Sequence, residues 1–339
     1  MKLFRTVTFI LIFLLVSPEA VSQQKDSFWI DLDGFLQMRE DKAFASVDSS
    51  YIRRYPYRFD VRLNSASSGL HMFTDGNETG SVNLSTGMSN TIGLSLGYRG
   101  LGLGYSFSLG RTMDIDLNLS SYGRRLAIEY SLRGSSGLAG AVALAGTDPI
   151  DADGDDLLLF ANNLNLIYNV DPNFSYSAAM KQNEVQRRSA GSFLIGASWT
   201  VWDILAADIK DIPKLFYGNY TNYFYTRVSI GAGYGCNLVF GQERWLLHAS
   251  LIPMWTLFDT TSLIDNGEKK TVRYPMGRVA FCGTARAGFY FRWGTRWSAG
   301  ISGIVDQMAS RTGIDPNSPR YQRFGAQTWQ AKFSLTCRF

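Results

Sequence analysis

The closing stretch of the chain, Trp329 to Phe339, restricts the fold more than any other segment. Trp329, Ala331, Phe333, Leu335, Cys337 and Phe339 fall on one face of an extended strand, and Gln330, Lys332, Ser334, Thr336 and Arg338 on the other. A strict two-residue period marks a strand with one apolar and one polar face. A sandwich edge strand would alternate too, but here the pattern recurs along the chain. Ile92, Leu94, Leu96 and Tyr98 oppose Thr91, Gly93, Ser95 and Gly97. After a turn at Arg99-Gly100, Leu101, Leu103, Tyr105, Phe107 and Leu109 oppose Gly102, Gly104, Ser106 and Ser108. Mean hydropathy is −0.07. That excludes a helical membrane protein, whose spans are continuous apolar runs of about 20 residues. It fits a barrel, where alternation averages the hydropathy to nothing. The expected fold is all-β: one transmembrane antiparallel β-barrel.

The series continues with Ile115, Leu117 and Leu119, with Leu126, Ile128, Tyr130 and Leu132, and with Leu157 to Val170. After the turn Asp171-Pro172-Asn173, the residues Phe174, Tyr176, Ala178 and Met180 read as a return strand. Phe193 to Val201 and further strands at 220–240, 245–258, 277–293, 295–308 and from Phe324 complete the set. This predicts about 12 strands counted from Thr91, within about 10 to 14, and an even number. Phe59, Val61 and Leu63 also alternate, while 134–146 reads as a weak strand or a loop. Tight turns at 241–243 and 294 alternate with long polar connections at 203–218, 259–274 and 309–323, the asymmetry of outer-membrane barrels. Trp199, Trp202, Trp245, Trp255, Trp293, Trp297 and Trp329 lie near strand ends, as interfacial girdles require.

Residues 1–22 have a basic start, an apolar run and the pattern Ala20-Val21-Ser22, and read as a secretory signal peptide, with a retained helical anchor as the alternative. Residues 23–55 form an N-terminal periplasmic lead, partly helical or packed at the barrel mouth, with a lumen plug as the alternative. The barrel occupies 56–339. The terminal Phe339 resembles the signal read by the barrel-assembly machinery of Gram-negative bacteria. The expected location is the cell outer membrane, with its lipids and that machinery as partners and the oligomeric state open. A formal charge of +4 without a Lys/Arg block gives no reason to expect nucleic acid. Cys236, Cys282 and Cys337 stand alone, an odd count suited to packing rather than a disulfide framework.

At Gln182 to Gly196 (Q-N-E-V-Q-R-R-S-A-G-S-F-L-I-G), with Tyr55-Pro56-Tyr57 and the hairpin Asn90 to Phe107, the chain resembles an uncharacterised outer-membrane family of Bacteroides-type bacteria, domain of unknown function 4421. The resemblance covers roughly residues 30 to 339. It implies a barrel and carries no functional residue.

The polar strand faces hold Arg58, Asp60, Arg62, Arg125, Glu129, Arg133, Arg292, Lys332 and Arg338. These are expected to face the lumen, because a charge on the lipid face costs about 2–4 kcal/mol at the midplane. They either line a passage biased toward anions or pair across a narrow lumen and close it. His248-Ala249-Ser250 puts a His and a Ser on one strand face, an arrangement used by some outer-membrane lipid esterases. Asp151, Asp153 and Asp155 resemble the start of a calcium loop, but Asn162 stands where the closing Glu belongs, so a solvated acidic turn is the plainer reading. No cofactor is implied. Three functions follow: a narrow channel or transport barrel for small polar solutes, a lipid esterase or phospholipase using Ser250 and His248, or a structural or surface-interaction barrel working through its outer loops.

Overall fold

In a computed structural model of the chain, the described residues are 27–45, 47–76, 80–110, 114–143, 150–152, 157–206, 220–265, 268–273, 279–312 and 322–339. Residues 1–46 and 47–339 form two separate units. The first contains one helix, α1 (Ser27–Phe44). The expected signal peptide lies outside the described residues.

The second unit is a closed barrel of twelve antiparallel strands. They are β1 (Phe59–Gly76), β2 (Ser89–Tyr98), β3 (Leu101–Ser108), β4 (Asp114–Tyr122), β5 (Leu126–Ser136), β6 (Leu157–Asn169), β7 (Ala190–Ala206), β8 (Tyr220–Phe240), β9 (Trp245–Asp265), β10 (Val279–Trp293), β11 (Trp297–Thr312) and β12 (Gln322–Arg338). Each pairs with its neighbour in the chain. β12 closes on β1 in a register from Arg338↔Asp60 to Gln322↔Gly76. Closure leaves no sheet edge, so every strand's hydrogen-bonding groups find partners without water.

The predicted number holds, but its membership does not. Phe174 to Met180 was expected as a strand and is not one: Tyr176–Met180 is a short helix, α2. Its place in the barrel is taken by β1, which precedes Thr91. The polar stretch 259–274 is also more ordered than a loop: β9 continues to Asp265, and Glu268–Arg273 folds back on it. At the same rim Gly80–Ser85 pairs with β1, and Ala139–Ala143 pairs with Gly80–Ser85.

The alternation sorts side chains as expected. Leu251, Trp255 and Ile301 point outward and are 58%, 65% and 60% exposed, whereas the inward Arg62 and Arg286 are 4% and 6% exposed. A soluble sandwich would show the reverse; an apolar outer wall over a polar interior is the transmembrane barrel arrangement. At the short-turn end, Phe240, Trp245, Phe289, Phe291, Trp293 and Trp297 stack from ring to ring with centroids 4.3–6.4 Å apart, making an outer aromatic belt. Trp202 departs from the girdle expectation: it is buried inside the barrel, because its position shares the inward parity of Ser198 and Thr200. The β2–β3 connection is two residues, Arg99 (φ 46°) and Gly100 (φ 81°), the left-handed pair a tight hairpin turn requires. All three cysteines are free thiols.

Candidate functional site

One short-end connection is unlike the others. Between β6 and β7 the chain spends residues 170–189 on an insert that turns into the barrel. Ser175 starts α2: its Oγ accepts from Ala178 N at 2.9 Å and donates to Glu184 Oε2 at 2.6 Å. The helix ends at Met180, and beyond its cap Gln182, with a φ of 53°, reverses the chain. Glu184–Gln186 then pairs with Ile52–Arg54, which enters just ahead of β1. Phe174, Tyr176, Ala178 and Ala179 are fully buried.

Arginines from the barrel hold this insert by its backbone carbonyls. Arg124 Nη1 donates to Phe174 O at 3.0 Å, and Arg338 Nη2 to Gln182 O at 2.8 Å. Arg292 donates to Gln186 O at 3.3 Å, and Arg62 to Lys181 O. The Arg338 guanidinium also lies 4.0 Å from the centre of the Tyr55 ring. Charge-assisted bonds of this kind are worth about 1.5–3 kcal/mol each, so several together fix the insert as a floor across the lumen.

Above the floor, Arg286 of β10 meets Glu129 of β5 across the lumen, with Nη2–Oε2 at 2.7 Å and Nη1–Oε1 at 2.9 Å. Tyr122 donates to the same carboxylate, and the Tyr176 ring lies 5.9 Å beneath the guanidinium. Around this tie lies a cavity of about 260 Å³ bordered by Arg62, Asp116, Arg133, Lys181, Arg227, Asp306 and Lys332. The small inward faces of β2 and β3 (Gly93, Ser95, Gly104, Ser106) also border it and give it room. Gly102 shows why those faces must be small: a Cβ there would stand 3.2 Å from Lys181 Nζ and 2.6 Å from Ser120 Oγ.

Toward the outer strand ends the interior becomes apolar. Met72, Leu159, Trp202, Ile204, Tyr225 and Met308 are buried in one cluster with Leu84 and Leu138 from the rim extension. Leu159, Trp202 and Met308 also border the charged chamber, so this apolar roof is its outer lining.

His248 and Ser250 sit under the insert. Asn237 Nδ2 donates to Ser175 O at 2.8 Å, which leaves its Oδ1 as the acceptor facing His248 Nδ1 at 2.8 Å. His248 therefore carries its proton on Nδ1, and Nε2 accepts from Ser250 Oγ at 3.1 Å. The order Asn–His–Ser is that of a nucleophile relay. Yet His248 is fully buried, with Phe174 and Tyr176 against its ring at 6.2 and 5.9 Å, and Ser250 does not border the chamber. In this arrangement the chain of bonds ties the insert to the wall.

The remaining expected site residues divide. Asp60, Arg62, Glu129, Arg133, Arg292, Lys332 and Arg338 lie on inward positions of their strands, and Arg133 reaches Ser68 at 2.9 Å. Arg58 and Arg125 are exposed. Arg58 stands just before β1. Arg125 follows the β4–β5 turn, which shifts the parity, so it reaches Tyr168 on the outer wall at 3.1 Å while Arg124 turns inward. Arg124, Arg227, Arg286 and Asn237 were not expected; Arg286 shares the inward face of Arg292, a parity the sequence carries. Only the backbone of Asp151 is described, and Asp153 and Asp155 lie outside the described residues. Among the described residues no group of three metal-ligating side chains occurs. Phe339 is exposed and its N–H donates to Phe59 O at 2.9 Å.

The sequence matches the family described as Domain of unknown function (DUF4421) over residues 46–327, which takes in the insert and the first eleven strands of the barrel but only the start of the last. The chain belongs to the DUF4421 family. No curated protein sequence matches it significantly. Among solved structures it is similar to the P. putida toluene transporter TodX (9% identity, 84% of this chain and 91% of that one, TM-score 0.30). It is also similar to the outer membrane protease OmpT from Escherichia coli (7%, 84% and 97%, TM-score 0.40). A third is the β domain of the Bordetella autotransporter BrkA (11%, 83% and 100%, TM-score 0.41). Likenesses this distant carry nothing about the lumen of this DUF4421 barrel.

Proposed function

We propose that this DUF4421 chain is an outer-membrane barrel that acts as a gated passage for small polar solutes, shut at both ends in the present arrangement. It reaches the membrane through the periplasm. The observation that carries the reading is the polar chamber between the insert and the apolar roof. A barrel serving only as a scaffold gains nothing from keeping buried charges around a cavity, since each costs several kcal/mol unless paired. An apolar constriction that gates by wetting is a known channel device.

The test is planar-bilayer conductance of the refolded protein. The parent is expected to be silent or to open briefly. A variant with residues 174–186 replaced by a short Gly/Ser linker, combined with Met308→Ser, is expected to conduct steadily. Should the linker variant not fold, Arg292→Ala with Arg338→Ala loosens the same floor. A heat-modifiable, inserted variant with both ends opened and no conductance would sink the reading.

A second reading, ester hydrolysis at Ser250, draws on the Asn237–His248–Ser250 chain. It requires the insert to withdraw, so lipid hydrolysis should appear only in the floor-loosened variant and vanish with Ser250→Ala.

A further inference from the structure

The charged chamber is unevenly balanced. Six cationic side chains border it, Arg62, Arg133, Lys181, Arg227, Arg286 and Lys332, against three carboxylates, Asp116, Glu129 and Asp306. Glu129 is engaged by Arg286 at 2.7 Å. Asp306 accepts from Thr284 at 2.6 Å. The nearest acid to Arg62 is Asp60, at 3.5 Å and below the chamber. Arg227 stands opposite the buried Asp259 in the strand register, and Asp116 and Asp306 are left to face Arg133, Lys181 and Lys332. Arg227 and Arg286 are more than nine-tenths buried, and in both the Nε proton has no hydrogen-bond partner. Lys181 rises from the floor over Gly102, where the absence of a side chain admits its amine. Burying excess positive charge with unused donors is costly unless a counter-charge enters.

We propose that the chamber is a binding site for a small oxyanion of the phosphate class, held chiefly by Lys181 and Lys332 together with Arg286, whose Nε donor is unused. The inference rests on the passage reading and deepens it, by naming the solute that pauses inside. A phosphoryl group presents several acceptor oxygens and close to two negative charges. It suits lysine ammonium and arginine guanidinium together: lysine as a point charge, arginine as a donor fork. A monovalent halide offers neither the charge nor the geometry. The tiny polar faces of β2 and β3 leave space on the opposite side for the rest of a small phosphorylated molecule.

The experiment is equilibrium dialysis of the full refolded chain in detergent against radiolabelled inorganic phosphate at low salt, with chloride and succinate as competitors. Saturable binding is expected, displaced weakly by succinate and not by equimolar chloride. Lys332→Gln and Lys181→Gln should each weaken it at least tenfold. Arg188→Gln, which removes the same charge from an exposed position beside Tyr51, should leave it unchanged. Equal binding in Lys332→Gln and Arg188→Gln, or no saturable binding by the parent and the floor-loosened variant, overturns the proposal. Succinate outcompeting phosphate also overturns it, in favour of a carboxylate site. Conductance without phosphate binding removes this inference and leaves the passage; phosphate binding without conductance in any opened variant does the opposite.

Discussion

The two ends of the lumen are filled by different physics. The short-turn end holds a folded insert whose carbonyls are met by arginine donors, so its seating is directional and each bond has one right geometry. Toward the outer end lie Met72, Leu159, Trp202 and Met308 with their neighbours, whose contacts are non-directional and whose methionines repack easily. A floor of the first kind opens as a unit or not at all. A roof of the second kind can part locally and admit water. The contrast teaches that the gating energies need not be equal, and each side can be attacked separately.

The largest expected effect comes from the tie between them. Glu129→Ala or Arg286→Ala strands the other charge inside the barrel, a loss of about 3–5 kcal/mol, visible as a lowered denaturation midpoint of the folded band in detergent. Restoring much of that loss in the double substitution would show that the single variants suffer mainly from the stranded charge. Next comes the floor: Arg338→Ala should cost about 1.5–3 kcal/mol for the lost charge-assisted bonds and expose residues 182–189 to added protease. If protection is unchanged, the arginines are not what holds the insert. Met308→Ala at the roof should cost about 2 kcal/mol, the low end of core truncations, and should raise conductance only when the floor is loosened. A roof variant that conducts alone would make the insert permeable and break the comparison.

The smallest effect is a pH slope. Burial, then the neighbouring Arg62 and Lys332, pull the Lys181 amine down to about 7. Between that pH and the ordinary lysine value the unfolded chain holds a proton the folded chain lacks, so stability should rise with pH across this window. Glu129 and Asp60 act in the opposite sense, and the half-buried position of Lys181 beside the chamber keeps the slope small. Lys181→Gln should flatten it, as read from denaturation midpoints at pH 7 and above.

The barrel wall was legible because a two-residue period survives wherever a strand separates lipid from lumen. The insert was not, because Phe174, Tyr176, Ala178 and Met180 also alternate, and a short apolar run does not distinguish strand from helix. A helix signal was present: Ser175 stands at a capping position ahead of Ala178 and Ala179. Pairing across the lumen could not be read at all, since Glu129 and Arg286 are 157 positions apart and nothing local links them. Arg124 and Arg125 show the same limit at the smallest scale, where one turn residue decides which guanidinium goes inside.

The seat of the insert has a consequence for the order of events in assembly. Arg62 and Arg338 lie on β1 and β12, the first and last strands, whose pairing closes the barrel, and Arg62 stands directly opposite Thr336 across that seam. The insert is made midway through the chain but has no complete socket until the first and last strands zip together. An unfinished barrel is therefore also an unstoppered one, and the stopper's seating serves as a built-in report that the seam has closed.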